Sequence, residues 1–168
     1  MMIPSEVQDI LKKLNQANFE AYVVGGCVRD LLMKKTPKDW DVTTIAKPEE
    51  IQKLFPDSFY ENEFGMVGVP MEDDELYEIT TYRSEKGYSD FRRPDEVIWR
   101  KTLEEDVWRR DFTMNAVVIG PSFAPSGLRK GTPALASNSK DYQYEVIDLV
   151  GGLKDFEDGV IRTVGVAV

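Results

Sequence analysis

The sequence contains no histidine and a single cysteine, Cys27. Without imidazole, catalytic triads that use it as base are excluded, as are His-ligated zinc sites. With one thiol there is neither an internal disulfide nor a Cys-rich zinc site, and the cytoplasm is the expected compartment. Any metal must therefore sit on oxygen ligands, which favours magnesium, manganese or calcium. No apolar run reaches the roughly 20 residues of a membrane helix. The N-terminus, Met1 to Glu6, shows no basic segment followed by a hydrophobic one, so no secretory signal is expected. Positive charge is also scarce: 21 Lys and Arg against 30 Asp and Glu leave a net charge of −9. A domain that grips RNA unaided usually carries a basic face.

What is present describes a globular domain. The 168 residues are 42% apolar and 30% charged, enough for one core and too few for two. Residues 1–168 are read as one domain without internal repeats. Ser5 and Gln8 form a capping box ahead of Val7, Ile10, Leu11 and Leu14, which share one helical face. Ala21 to Val24 reads as a buried strand stopped by Gly25-Gly26. A second helix with Val28, Leu31 and Leu32 follows, closed by Lys34-Lys35. Residues 39–45 are strand-like, and Pro48 opens a short helix carrying Ile51, Leu54 and Phe55. Segments 58–61, 65–70 and 75–82 read as strands, with Glu72-Asp73-Asp74 in a solvated turn. Residues 83–95 read as a loop. Thr102 and Glu105 cap a helix bearing Leu103, Val107 and Trp108. Residues 113–119 and 144–149 look strand-like, and Trp99 and Trp108 are expected in the core. The stretch 120–143, rich in Gly, Pro, Ser and Ala, is predicted to be a partly disordered loop.

Two neighbouring segments carry chemistry. In a strand, alternation puts the carboxylates of Asp39 and Asp41 on one face and Trp40 on the other, with Cα atoms about 6.5–7 Å apart. Such a pair can share one divalent cation or clamp two ions about 3.5–4 Å apart. Two anions on one face repel, so the pair stabilises little without a cation. A solvated polar turn is the bland alternative. Close by, Val24-Gly25-Gly26-Cys27-Val28-Arg29-Asp30 joins strand to helix through paired glycines, a seat for phosphate at a helix N-terminus. Arg29 is placed to take phosphate oxygens, or else to pair with Asp30. The spacing is neither the dinucleotide-binding Gly-x-Gly-x-x-Gly nor a Walker pattern. A triphosphate seat beside a metal-binding pair supplies the two parts that phosphoryl transfer needs.

Tyr22 to Leu32 followed by Asp39-Trp40-Asp41-Val42-Thr43-Thr44 strongly resembles the class II tRNA nucleotidyltransferases and bacterial poly(A) polymerases, within the DNA polymerase β-like superfamily. Further matches are Glu78 to Arg83, Asp90-Phe91-Arg92-Arg93-Pro94, Arg109 to Ala116, and Ile161 to Gly165. The resemblance implies an α+β head: a small mixed, mostly antiparallel sheet with helices chiefly on one face. It implies Asp39 and Asp41 as metal-binding catalytic carboxylates. Gly25, Gly26, Arg29 and Arg110 fall on the nucleotide, with Asn115 toward the sugar. Glu78, on the strand face of Leu76 and Thr80, is the candidate third acid, against the alternative of a surface glutamate. The expected cofactor is Mg2+, with Mn2+ as alternative, and the expected partners are ATP or CTP and a tRNA or other RNA 3′ end. Family members continue past Ile161-Arg162-Thr163 into a base-selecting neck, body and tail, so most RNA-holding surface is expected outside this chain. CCA addition, partial CCA addition and poly(A) synthesis all remain open. So does a non-catalytic or split-subunit nucleotide-binding module.

Overall fold

The computed structural model describes residues 3–61, 65–70, 75–86, 96–99, 102–122, 134–135 and 143–165. The chain begins with α1 (Ser5–Gln16), β1 (Ala21–Val24), α2 (Gly26–Leu32), β2 (Asp41–Thr44) and α3 (Pro48–Leu54). Next come β3 (Phe59–Glu61), β4 (Met66–Pro70), β5 (Leu76–Thr81), β6 (Arg83–Lys86) and β7 (Glu96–Trp99). The helix α4 (Leu103–Val107) and a 3-10 turn (Thr113–Asn115) lead to β8 (Val118–Pro121), β9 (Ala134–Leu135), β10 (Tyr144–Ile147) and α5 (Gly152–Asp158).

Eight strands form one sheet in the order β3-β4-β5-β2-β1-β8-β10-β9, while β6 and β7 pair separately. Within the eight-stranded sheet β2 and β5 run parallel and the other pairs antiparallel. The mixed, mostly antiparallel α+β architecture is thus as expected. Alternation along β1 builds both sides of the core: Ala21 and Val23 enter the larger apolar cluster, Tyr22 and Val24 the smaller. α1, α2 and α3 pack on the larger side, whereas α4 covers the smaller. Val7, Ile10, Leu11 and Leu14 of α1 are fully buried, each contributing about 1.5–3 kcal/mol relative to exposure. No helix among the described residues is long and apolar enough to cross a membrane.

Several local expectations give way. Pro4, not Ser5, caps α1: its carbonyl already accepts from Gln8, and the Gln8 amide reaches back to Ile3 O at 2.7 Å. Ser5 is therefore one position inside the helix and cannot cap it. The expected loop at 83–95 instead opens with β6, whose partner β7 lies outside the main sheet. That ribbon stands apart from the strands whose alternation builds the core. Trp108 is 56% exposed rather than core. The five-residue α4 points Leu103, Asp106 and Val107 inward, and Trp108 falls past its end. Within 113–119 a 3-10 turn precedes β8, held because Thr113 donates to Asp155 Oδ2 at 2.9 Å. The Trp99 side chain, the acidic turn at 72–74 and most of 123–142 lie outside the described residues.

Candidate active site

The antiparallel register sets Val24, the last residue of β1, opposite Asp41, the first of β2. Gly25 therefore turns at the same rim where the aspartates lie. Its φ is +86°, a conformation L side chains rarely adopt. A Cβ built there would stand 2.9 Å from Asp41 Oδ2 and 3.8 Å from Arg110 Nη1. Only a residue without a side chain lets acid and guanidinium close over this turn. Trp40 is buried in the larger cluster, while Thr43, two positions beyond Asp41, faces α4 on the opposite side. Asp39 is exposed in the bend before β2 rather than within the strand. It nonetheless shares two clefts with Asp41. Burial first, and then the Asp39 charge, push the Asp41 carboxyl above its ordinary value despite the pull of Arg110.

Arg110 is held from the α4 side. Asp106, fully buried, accepts from Thr43 Oγ1 at 3.0 Å, Arg109 Nε at 2.8 Å and Arg110 Nη2 at 3.2 Å. The Arg83 backbone N–H adds a fourth donor at 3.3 Å. Burial works to raise the Asp106 pKa, but the two guanidiniums outweigh it and hold the carboxyl below the ordinary range. Burial draws the Arg110 pKa down, and Asp106 counters it. Arg110 Nε is buried without a hydrogen-bond partner among the described residues. Asp106 was missed in the sequence reading. Its signal was the acid three and four positions ahead of Arg109 and Arg110 in one helical turn.

On the α2 side, Arg29 Nη2 lies 3.5 Å from where a Gly26 Cβ would be. Its guanidinium donates to Asp30 Oδ1 at 3.0 and 2.8 Å through Nε and Nη2, and to Asn115 Oδ1 at 3.3 Å through Nη1. Thus the pairing with Asp30 exists, and Arg29 and Asn115, 86 positions apart, still meet. The turn carrying Asn115 is backed by α5, whose Gly152 leaves no room for a Cβ beside Thr113 O. One cleft of about 400 Å³ joins Gly26, Arg29, Lys35 and Lys38 to Asp39 and Asp41. Cys27 also lines it, but burial raises its thiol to about 11, so it stays protonated at neutral pH.

A second cleft of about 340 Å³ lies on the other side of the aspartates and includes Lys38, Glu75, Leu76 and Glu78. Glu78 pairs in register with Asp41 across β2 and β5. It is exposed, on the face of Leu76 and Thr80, while Tyr77, Ile79 and Thr81 are buried. Among the described residues no three His, Cys, Asp or Glu side chains gather closely enough to hold a metal together. The acidic side chains that share both clefts are Asp39 and Asp41, with Glu78 one strand away in the second.

The family model for the poly A polymerase head domain matches residues 21–162. A CCA-adding enzyme of Lactobacillus delbrueckii subsp. bulgaricus is 43% identical across 97% of this chain and 36% of its own length. One from Enterococcus faecalis is 41% identical, again over 97% and 36% of the two chains. The Bacillus stearothermophilus CCA-adding enzyme, solved in complex with CTP, superposes with a TM-score of 0.73 at 32% identity, covering 98% of this chain and 34% of that one. The chain thus spans about a third of the length of the relatives it matches.

Proposed function

Because the chain belongs to the poly A polymerase head-domain family, we propose that it is, over its whole length, the catalytic head of an RNA nucleotidyltransferase. The reaction moves a nucleoside monophosphate from CTP or ATP to an RNA 3′ hydroxyl and releases pyrophosphate. Of the three outcomes that sequence motifs leave open, CCA addition to tRNA is favoured by the names of the relatives. The observation that carries the reading is the closure of Asp41 and Arg110 over Gly25 at one sheet rim.

The triphosphate occupies the cleft between Gly26 and the aspartates, and a relative solved in complex with CTP supports a nucleotide as the ligand. Arg110 stands beside Gly25 and Asp41 as a buried positive charge, with Asp106 fixing the guanidinium from the α4 side. Arg29, steadied by Asp30 and Asn115, and the exposed Lys35 and Lys38 add positive charge around the same opening. Asp39 and Asp41 fit a hard divalent cation. They are two oxygen donors on one rim, and Asp41 is destabilised as an anion by burial and by its neighbour. Mg2+ is commonly held by one or two carboxylates plus substrate phosphates. Bound there, Mg2+ or Mn2+ would supply charge neutralisation at the phosphates and a lowered pKa for the attacking hydroxyl.

One alternative has an observation behind it. A net charge of −9 with only a few basic side chains around the cleft suits a nucleotide-binding module that performs no transfer by itself. Labelled CTP or ATP, Mg2+ and a tRNA lacking its terminal CCA separate the two. Pyrophosphate release by the chain supports the head reading, and nucleotide binding without release supports the module. In the same assay Asp41→Ala should lower transfer on the order of 10²-fold or more. Turnover equal to that of the parent chain would refute the catalytic role.

A further inference from the structure

The same sheet face continues past the aspartates, and its next features are apolar. Register places Asp41 opposite Glu78, Glu78 opposite Gly68, and Gly68 opposite Phe59. Opposed residues of neighbouring strands share a face, and strands stand about 4.8 Å apart. The four positions thus make a row leading away from the catalytic rim. The flanking residues Val67, Val69, Tyr77 and Ile79 are all buried in the core on the opposite face. At the end of the row the Phe59 ring lies down on Gly68. A Cβ there would come within 2.5 Å of Cζ and 2.8 Å of Cε2. The ring is nevertheless 50% exposed, and Leu76, on the face of Glu78, is 46% exposed. An aromatic ring seated on a glycine with one side open to solvent, about 10 Å from Asp41, is a flat apolar surface with no protein group covering it among the described residues.

Resting on the function proposed above, we infer that the Phe59–Gly68 surface stacks a base at the 3′ end of the acceptor RNA. The direction of the chemistry places it there. In-line displacement at the α-phosphorus requires the entering oxygen and the departing pyrophosphate on opposite sides. With the triphosphate in the cleft lined by Gly26 and Arg29, the acceptor enters from the cleft lined by Glu75, Leu76 and Glu78. Phe59 lies two strands beyond Glu78 on the same sheet face. Stacking suits the local charge as well. Glu75 and Glu78 disfavour phosphate contacts there, whereas a base brings a neutral π-face, and Lys38 is at hand for a single backbone phosphate.

The test uses this chain, Mg2+, a non-hydrolysable CTP analogue and a short RNA whose terminal base is 2-aminopurine, read by its fluorescence. Phe59→Ala should weaken RNA binding about 5- to 150-fold while the nucleotide Kd and the melting temperature hold. Phe59→Trp should retain affinity. Gly68→Ala, which keeps the ring but pushes it off its seat, should reproduce the loss. Equal RNA affinity for Phe59→Ala and the parent chain overturns the inference, as does an absence of any RNA-dependent fluorescence change when the nucleotide binds normally. If Phe59→Ala instead abolishes self-association or binding of a protein segment and leaves RNA untouched, the surface is a protein contact and the inference is wrong. Loss of nucleotide binding by the parent chain brings down the function proposed above, a failure distinct from the others.

Discussion

A methyl group at position 25 would stand 2.9 Å from Asp41 Oδ2 in a backbone conformation with φ of +86°. Both facts penalise the same substitution, one through contact and the other through a strain of about 1–3 kcal/mol. Gly25→Ala should therefore cost more in transfer than in folding. We expect a loss on the order of 10²-fold in kcat/KM, with a Tm only a few degrees lower, measured by pyrophosphate release and thermal melting. The neighbouring Gly26→Ala separates folding from nucleotide contact: its Tm should hold, and any loss of transfer there reads on the bound nucleotide. The added Cβ would meet nothing closer than Arg29 Nη2 at 3.5 Å, an ordinary contact. The importance of the glycine pair was legible in the sequence, but which glycine lies under the carboxylate was not. That depends on the register that sets Val24 opposite Asp41.

Among the elements, α4 has the least support of its own. Five residues cannot sustain a helix in water, so tertiary ties must hold it. The main polar tie is Asp106, joined to Thr43 of β2 and to both following arginines. Asp106→Ala would strand a buried guanidinium at Arg110 and should cost about 3–5 kcal/mol, read from urea midpoints. Because the folded-state pKa of Asp106 lies below the ordinary carboxylate value, its contribution is fully present above that ordinary value. It is lost as pH falls through the depressed one. The stability gap between the parent chain and Asp106→Asn should therefore be constant near neutrality and close below about pH 4. A gap that widens on acidification would contradict the assignment. Elements with apolar periodicity, such as α1 and the strands β1 and β3 to β5, could be read directly from the sequence. Two others could not. The β6–β7 ribbon pairs outside the main sheet, apart from the strands whose alternation builds the core. α5 begins at the second of two glycines, and the amides leading into it are gathered by Asp148, whose carboxylate accepts from Val150, Gly151, Gly152 and Leu153.

For the molecule as a whole, a net charge of −9 and a few lysines at one opening predict shallow electrostatics. A strand held by one or two phosphate contacts should lose only about three- to sevenfold in affinity between 50 and 200 mM salt. Fluorescence titrations at several ionic strengths check this, and a slope of the size seen with six or more contacts would demand a basic surface not identified here. The aspartates, glycines and Arg110 were all named from sequence. Asp106 and the Phe59–Gly68 pair were not: Asp106 carried only its helical spacing from Arg109 and Arg110, and the pair is defined by which strands lie side by side. The rim gathers its groups from both coverings of the sheet: Arg29 rides on α2 over the larger cluster, and Arg110 follows α4 over the smaller. A bound nucleotide acts there like a keystone, bearing on two halves that would otherwise part independently. Saturating CTP should then raise the global melting transition as one event, by about 2.7 kcal/mol at a hundredfold excess over Kd, instead of sharpening one layer alone.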